Sequence, residues 1–180
     1  MDTRRPSGFS IMEVMVVVGI IGILLAAAIP NFTIWIQNTQ IRTAGESIVN
    51  GMQTARNEAV RRNACMQLEM KGRTEWWVNP CQSPDVDPPF MRRVSEEGSV
   101  NATTNILPNG STIVSFSALG RIVSPNPSDG SVPIVTIQVQ NPTMTPGTAR
   151  ELRIEIPPGG SIRMCDPDPG VLAGDPRRCN

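Results

Sequence analysis

The sequence has no histidine and no tyrosine, and aromatic residues occupy only 4 % of its 180 positions. Without an imidazole there is no histidine metal ligand, and no histidine to act as a general base or to activate a nucleophile. No glycine-rich loop of the spacing that binds phosphate is present either. We therefore expect a protein that is not an enzyme and that holds no cofactor and no metal.

The formal net charge is zero, because 16 basic residues balance 16 acidic ones. A balanced chain has no general attraction to nucleic acid or to an anionic membrane, so any such role needs a local patch. The balance conceals an uneven distribution, since residues 14–29 carry no charge at all. The chain therefore joins an apolar segment to a polar remainder.

The apolar segment admits two interpretations. Residues 9–29 would span about 30 Å as a helix, which is the thickness of the hydrocarbon core of a bilayer. In the first interpretation they belong to a secretory signal peptide, with Arg4 and Arg5 as its basic region and small residues at 26–28 for cleavage. In the second they form a membrane helix that is retained. Glu13 favours the second, because an unpaired carboxylate in a membrane costs several kcal/mol and a signal peptide has no use for it. The alternative for Glu13 is a helix-end residue that reaches the interface.

The residues around this carboxylate resemble a known processing signal. The segment Gly-Phe-Ser-Ile-Met-Glu-Val at 8–14 follows a basic leader and is similar to the class III signal sequence of type IV pilins and type II secretion pseudopilins. The resemblance implies that prepilin peptidase removes residues 1–8 by cutting after Gly8. It also implies that Phe9 becomes a methylated N-terminus and that Glu13 is the fifth mature residue.

Glu13 then has a physical role. Cleavage creates an α-amine at Phe9, and the carboxylate of Glu13 can pair with that amine in its own or a neighbouring subunit. The attraction is stronger in lipid than in water, although desolvation reduces its net value. Such a pair would select the axial register of a helical filament. Arg4 and Arg5 would hold the N-terminus in the cytoplasm, which predicts a single-pass inner-membrane protein with a periplasmic head that later joins a pilus at the cell surface.

Helical periodicity continues beyond Pro30, with apolar residues at steps of three and four: Ile41, Ala44, Ile48, Met52, Ala55 and Ala59. We therefore predict one helix from about residue 10 to residue 62, kinked near Pro30. Its second half is expected to pack on the head's own sheet rather than in a coiled coil. The predicted organisation is a leader (1–8), a transmembrane or filament-core helix (9–30), an amphipathic helix of the head (31–62) and a β-rich periplasmic head (63–180).

Beyond residue 63 the sequence alternates between apolar and polar residues and is broken by proline and glycine. Strands are predicted at 66–70, 76–78, 112–116, 132–140, 152–156 and 161–165. Many short strands with close turns indicate an antiparallel sheet or sandwich. The expected fold class is α+β, a long N-terminal helix packed on an antiparallel head, as in type IV pilins.

Trp76 and Trp77 are adjacent, so they should face opposite sides of a strand, one in the core and one available for contact.

Three segments of the head resemble one branch of this family, the minor pilins and pseudopilins of the FimT, FimU and GspH kind. They are 55–62 (Ala-Arg-Asn-Glu-Ala-Val-Arg-Arg), 116–121 (Phe-Ser-Ala-Leu-Gly-Arg) and 160–165 (Gly-Ser-Ile-Arg-Met-Cys). Ordinary packing is the alternative for each of these segments, and structural roles are favoured for all of their residues. The resemblance implies that other minor pilins, a major pilin, prepilin peptidase and the inner-membrane assembly platform are partners.

The four cysteines allow three pairings. Their spacing in an oxidising periplasm favours Cys65 with Cys81 and Cys165 with Cys179, closing loops worth about 3 kcal/mol each by chain entropy. A zinc site is the alternative, but there is no Cys-x-x-Cys pair and no histidine.

Three arginines, Arg163, Arg177 and Arg178, would come together if Cys165 pairs with Cys179. Guanidinium groups bind phosphates, and some FimT-like pilins are held to bind DNA through a C-terminal Gly-Arg-x-Arg motif. This sequence has Ser161 at the first arginine position, and nearby aspartates offset the charge. The alternative is a solvated loop with local ion pairs.

The leading functional hypothesis is a minor type IV pilin, a structural subunit that helps to initiate or cap a pilus used for twitching motility or adhesion. A type II secretion minor pseudopilin would use the same chemistry. A DNA-uptake pilin is a third hypothesis, from a different functional class.

Overall fold

The computed structural model describes residues 9–145 and 147–179. The chain divides into two compact units, Met1–Ile36 and Gln37–Asn180. One helix, α1 (Ile11–Arg62), begins in the first unit and ends in the second. It matches the helix predicted from residue 10 to residue 62.

The ends of α1 follow from local sequence. Ser10 precedes the first helical residue, and its Oγ accepts a hydrogen bond from the backbone N–H of Glu13 at 3.2 Å, as an N-cap does. At the other end, Asn63 adopts a positive φ of 50°. The N–H of Asn63 donates to the Val60 carbonyl, and that of Ala64 donates to the Ala59 carbonyl. These two bonds form a Schellman motif, which ends the helix at Arg62.

The helix is bent by 41° between the segments Ile11–Ala26 and Asn31–Arg62. Neither segment alone has the length and composition of a membrane span, whereas the two together do. The predicted kink at Pro30 falls within this break.

Nine strands, all paired antiparallel, lie in the part of the chain that the structure describes. The first sheet has the order β3-β2-β1-β5-β6, and the second has the order β4-β7-β8-β9. The strands are β1 (Met66–Met70), β2 (Trp76–Pro80), β3 (Met91–Arg93), β4 (Thr103–Leu107), β5 (Ile113–Phe116), β6 (Ile122–Val123), β7 (Thr136–Gln140), β8 (Leu152–Glu155) and β9 (Arg163–Cys165).

The core of the second unit lies between α1 and these sheets. The predicted apolar stripe of α1 is fully buried: Ile41, Ala44, Ile48, Met52, Ala55 and Ala59. Trp76 of β2 packs on the helix backbone at Gly51, and its indole Nε1–H donates to Ser47 Oγ at 3.0 Å. The stripe therefore packs on the protein's own sheets, as predicted. Of the two adjacent tryptophans, Trp76 is in the core and Trp77 is half-buried.

The predicted strand at 132–140 is too long, because β7 begins at Thr136. Pro133 has no N–H to donate to a ladder, and the residues around it bond to both sheets instead. The N–H of Ile134 donates to the carbonyl of Ile113 in β5, and that of Val135 donates to the carbonyl of Leu107 in β4. Three strands, β3, β4 and β6, were not predicted.

Candidate functional site

The start of α1 carries the predicted assembly residue. Glu13 lies in the first turn and is exposed, three residues after the capping Ser10. Ser-x-x-Glu is the sequence of a capping box, and an acidic side chain in the first turn is also favoured by the helix dipole. This local role was not predicted, although the spacing in the sequence would have shown it. The predicted cleavage residue, Gly8, lies outside the described residues, and Phe9 is exposed.

Glu13 has a charge that capping alone does not require. If the chain is cut before Phe9, the new amine lies four residues before Glu13 and just outside α1, which begins at Ile11. The capping interaction fixes the helix start beside the position where that amine would be created.

The rest of the first unit exposes its apolar side chains. Phe9, Ile11, Ile23 and Leu24, for example, all have most of their surface exposed, as does Trp35 beyond the apolar run of residues 14–29. An exposed apolar surface of this length indicates contact with lipid or with other helices. Phe32 and Trp35, whose rings stack with centroids 5.7 Å apart, were not singled out in the sequence.

In the second unit, the three segments that carry the head resemblance meet at one point. Arg56 Nε donates to the Gly120 carbonyl at 3.0 Å. Gly120 has a φ of +71°, and Gly160 has a φ of +77°. A Cβ on Gly160 would lie only 2.1 Å from the Gly120 carbonyl oxygen. The end of α1, the β5–β6 turn and the loop that precedes β9 therefore contact one another here. These contacts give the three residues a structural role.

The cysteines form the two pairs that their spacing favoured, Cys65–Cys81 and Cys165–Cys179. Among the described residues, one group has the geometry to hold a metal ion, Glu155 with Cys165 and Cys179. Both sulfurs of that group are in a disulfide, so they are not thiolate ligands.

The C-terminal arginines are only partly brought together. Arg163 donates from Nη2 to the backbone carbonyl of Arg178, beside the Cys165–Cys179 disulfide. Arg177 instead pairs with Asp175 at 2.8 Å. The side-chain hydrogen bond from Arg177 lowers the pKa of Asp175 to about 2. One of the three positive charges is therefore already compensated locally.

Comparison with known families accounts for both parts of the chain. Residues 44–171 match the family model described as type II transport protein GspH. The chain belongs to the GspH family. Residues 3–29 match the prokaryotic N-terminal methylation motif. The GspH-family match includes Arg56, Gly120 and Gly160, and the methylation motif includes Gly8, Phe9 and Glu13.

A solved structure shows the same fold. A crystal structure of the type IV minor pilin FimU from Pseudomonas aeruginosa PAO1, in space group P21, aligns with a TM-score of 0.50 and 17 % identity, covering 69 % of this chain and 87 % of that one. A second crystal form, P65, aligns with a TM-score of 0.49 and 17 % identity over 68 % and 90 % of the two chains. No curated protein matches the sequence. The predicted α+β, pilin-like fold class is confirmed.

Proposed function

We propose that this GspH-family protein is a minor type IV pilin, a non-enzymatic subunit that helps to initiate or cap pilus assembly. The observation that carries the proposal is the exposed apolar surface of residues 11–29, headed by the carboxylate of Glu13. The match to the N-terminal methylation motif supports it. In the proposal, prepilin peptidase cuts between Gly8 and Phe9, and residues 9–30 lie in the inner membrane before they enter the filament core. Residues 31–62 then form the amphipathic helix of the head, and residues 63–180 form its periplasmic β-rich part.

The proposed partners follow from this placement. The exposed helix contacts the corresponding helices of other minor pilins and of the major pilin, and the assembly platform extracts it from the membrane. A pairing between the Glu13 carboxylate and the amine at Phe9 stabilises both charges in lipid. It therefore favours the one axial register in which the two groups meet. Misaligned subunits would leave the carboxylate unpaired, which costs several kcal/mol.

Substitutions at Glu13 separate its charge from its capping role. Glu13→Ala removes both, whereas Glu13→Gln keeps a side chain that is suited to a capping box. We expect both variants to insert into the membrane normally and to assemble poorly, because neither carries the charge. Membrane fractionation measures insertion, and electron microscopy of sheared surface filaments in a strain that lacks the native copy measures assembly.

Glu13→Asp is the matched control and should retain most assembly. Normal piliation by Glu13→Gln would contradict the charge pairing and leave only helix capping. Normal piliation by Glu13→Ala would eliminate both roles.

The name of the matching family favours a second candidate, a type II secretion minor pseudopilin. The same membrane helix and the same Glu13 chemistry would serve a pseudopilus. Deletion of the gene distinguishes the two: loss of surface pili with normal enzyme secretion supports the pilin, and the reverse supports the pseudopilin.

DNA binding through Arg163, Arg177 and Arg178 stays a prediction. Arg163 and Arg178 lie together, which supports it, whereas the pairing of Arg177 with Asp175 weakens it. A gel shift at low salt with the detergent-solubilised chain and its three arginine-to-alanine variants tests it, and the absence of a shift would remove it.

A further inference from the structure

The continuous apolar run of residues 14–29 ends before the exposed apolar surface of the first unit does. Residues 14–29 number 16, which as a helix reach only about 24 Å, less than the roughly 30 Å of a hydrocarbon core. Large apolar side chains resume with Phe32 and continue to Ile36, and four polar residues follow at 37–40. The change from apolar to polar therefore comes after residue 36, not at residue 29.

Two aromatic rings lie just before this change. Phe32 and Trp35 are three residues apart and lie on one face of α1, where their rings stack at an interplanar angle of 27°. They are 61 % and 62 % exposed. Ile29 and Leu25 line the same open surface, about one turn and two turns before Phe32. The pair thus ends a continuous apolar face.

The polar residue between the two rings is compatible with lipid. Thr33 donates its hydroxyl to the carbonyl of Ile29 at 2.8 Å. That internal hydrogen bond removes the need for a water partner at this depth. Thr33 is therefore compatible with an apolar environment, and Asn31 is the other polar residue on this surface.

The distance from Glu13 to Trp35 matches one membrane. Twenty-two residues separate them, about 33 Å along a straight helix. The 41° bend between Ala26 and Asn31 shortens the projection by about 2 Å, if each segment rises 1.5 Å per residue. A helix with Glu13 at one boundary of the hydrocarbon core therefore has Trp35 at the other.

We infer that Phe32 and Trp35 anchor the helix at the periplasmic boundary of the bilayer, between the phospholipid headgroups and the acyl chains. The inference rests on the membrane anchoring of the proposed function. Tryptophan is enriched at that boundary because it combines an apolar ring with one N–H donor. The chain has no tyrosine, and its other two tryptophans, Trp76 and Trp77, pack in the second unit. Trp35 therefore fixes the depth of the helix, and with it the depth of Glu13.

Lipid-dependent fluorescence quenching tests this placement. The full chain is reconstituted in phosphatidylcholine vesicles whose acyl chains carry bromine either near the carbonyl end or near the terminal methyl. We expect stronger quenching by the shallow bromines, loss of that quenching in Trp35→Phe, and its retention in Trp77→Phe. The double variant Trp35→Phe, Ile23→Trp moves the indole to the middle of the span, so its strongest quenching should come from the deep bromines.

Two results would overturn the inference. One is a native quenching profile with the same depth as the Ile23→Trp control. The other is a chain that resists alkaline carbonate extraction, and so is inserted, but shows no quenching that depends on Trp35. Release of the chain by carbonate is a different failure, because it removes the membrane anchoring of the proposed function and the placement together.

Discussion

Gly120 and Gly160 show why single residues fix the geometry of the second unit. Both have positive φ values, which only glycine adopts at little cost. Their backbones are also in contact, because a Cβ on Gly160 would overlap the Gly120 carbonyl oxygen, the acceptor for Arg56. The positive φ and the close contact with the Gly120 carbonyl therefore both disfavour a side chain at Gly160.

Gly160→Ala should destabilise the protein by about 3 kcal/mol, from left-handed strain together with a backbone clash. Gly110→Ala is the matched control, since Gly110 has a φ of +86° but no atom lies within 4 Å of the position that a Cβ would take there. It should cost only about 1 kcal/mol, the strain alone. Urea unfolding of the full chain in detergent, followed by near-ultraviolet circular dichroism, measures both. Equal losses would show that the contact with Gly120 contributes nothing.

The pKa of Asp175 lies below its usual range because of its neighbour Arg177. The side-chain hydrogen bond from Arg177 holds its pKa at about 2, against an ordinary value of 3.8. Since the folded pKa is the lower one, the pair stabilises the C-terminal segment above about pH 4, and the contribution is lost as the pH falls towards 2.

Removing the arginine should reverse this shift. In Arg177→Ala the pKa of Asp175 is expected to return to near 3.8, because its main cause is gone. Arg178→Ala should leave the pKa unchanged, since Arg178 does not contact that carboxylate. Carboxyl-carbon NMR titration from pH 2 to pH 6 measures both variants, and an unshifted Arg177→Ala would contradict the assignment of the cause.

At the scale of elements, α1 depends on small residues where the sheets approach it. Two glycines in its second half have quite different neighbours. A Cβ on Gly51 would lie 2.9 Å from the ring of Trp76, whereas one on Gly45 would meet Met164 Sδ at 3.0 Å. The indole is held by its hydrogen bond to Ser47, but a methionine side chain is flexible and can move.

Alanine should therefore have opposite effects at these two positions. Gly51→Ala is expected to cost about 1–2 kcal/mol, because displacement of the indole outweighs the gain in helix propensity. Gly45→Ala should be neutral or stabilising by up to about 1 kcal/mol. Thermal unfolding followed by near-ultraviolet circular dichroism measures both, and a stabilising Gly51→Ala would show that the helix and sheet can separate freely there.

For the molecule as a whole, the long helix with its repeated apolar pattern was predictable from the sequence, whereas the shortest strands were not. The helix follows from a repeated apolar stripe, and its end at Arg62 was predicted although the Schellman motif at Asn63 was not. The strands β3 and β6 have three and two residues, too few for alternation to show. The third strand that was not predicted, β4, pairs with β7, a strand distant in sequence that no local pattern contains.

The candidate site shows the same division. A motif at 8–14 identified Glu13, but the capping-box spacing of Ser10 and Glu13 within that motif was not used, although the sequence contains it. The aromatic pair Phe32 and Trp35 was missed because it lies beyond Pro30, after the continuous apolar run of residues 14–29 had ended. The meeting of Arg56, Gly120 and Gly160 depends on tertiary structure and could not be read from three separate segments.

The short segment 132–135 has a mechanical consequence. Ile134 is bonded to β5 of one sheet and Val135 to β4 of the other, and the Val135 carbonyl also accepts the N–H of Ile156. A force that pulls the two sheets apart therefore acts on these backbone hydrogen bonds together. In the proposed filament under tension, segment 132–135 would distribute the force over both sheets.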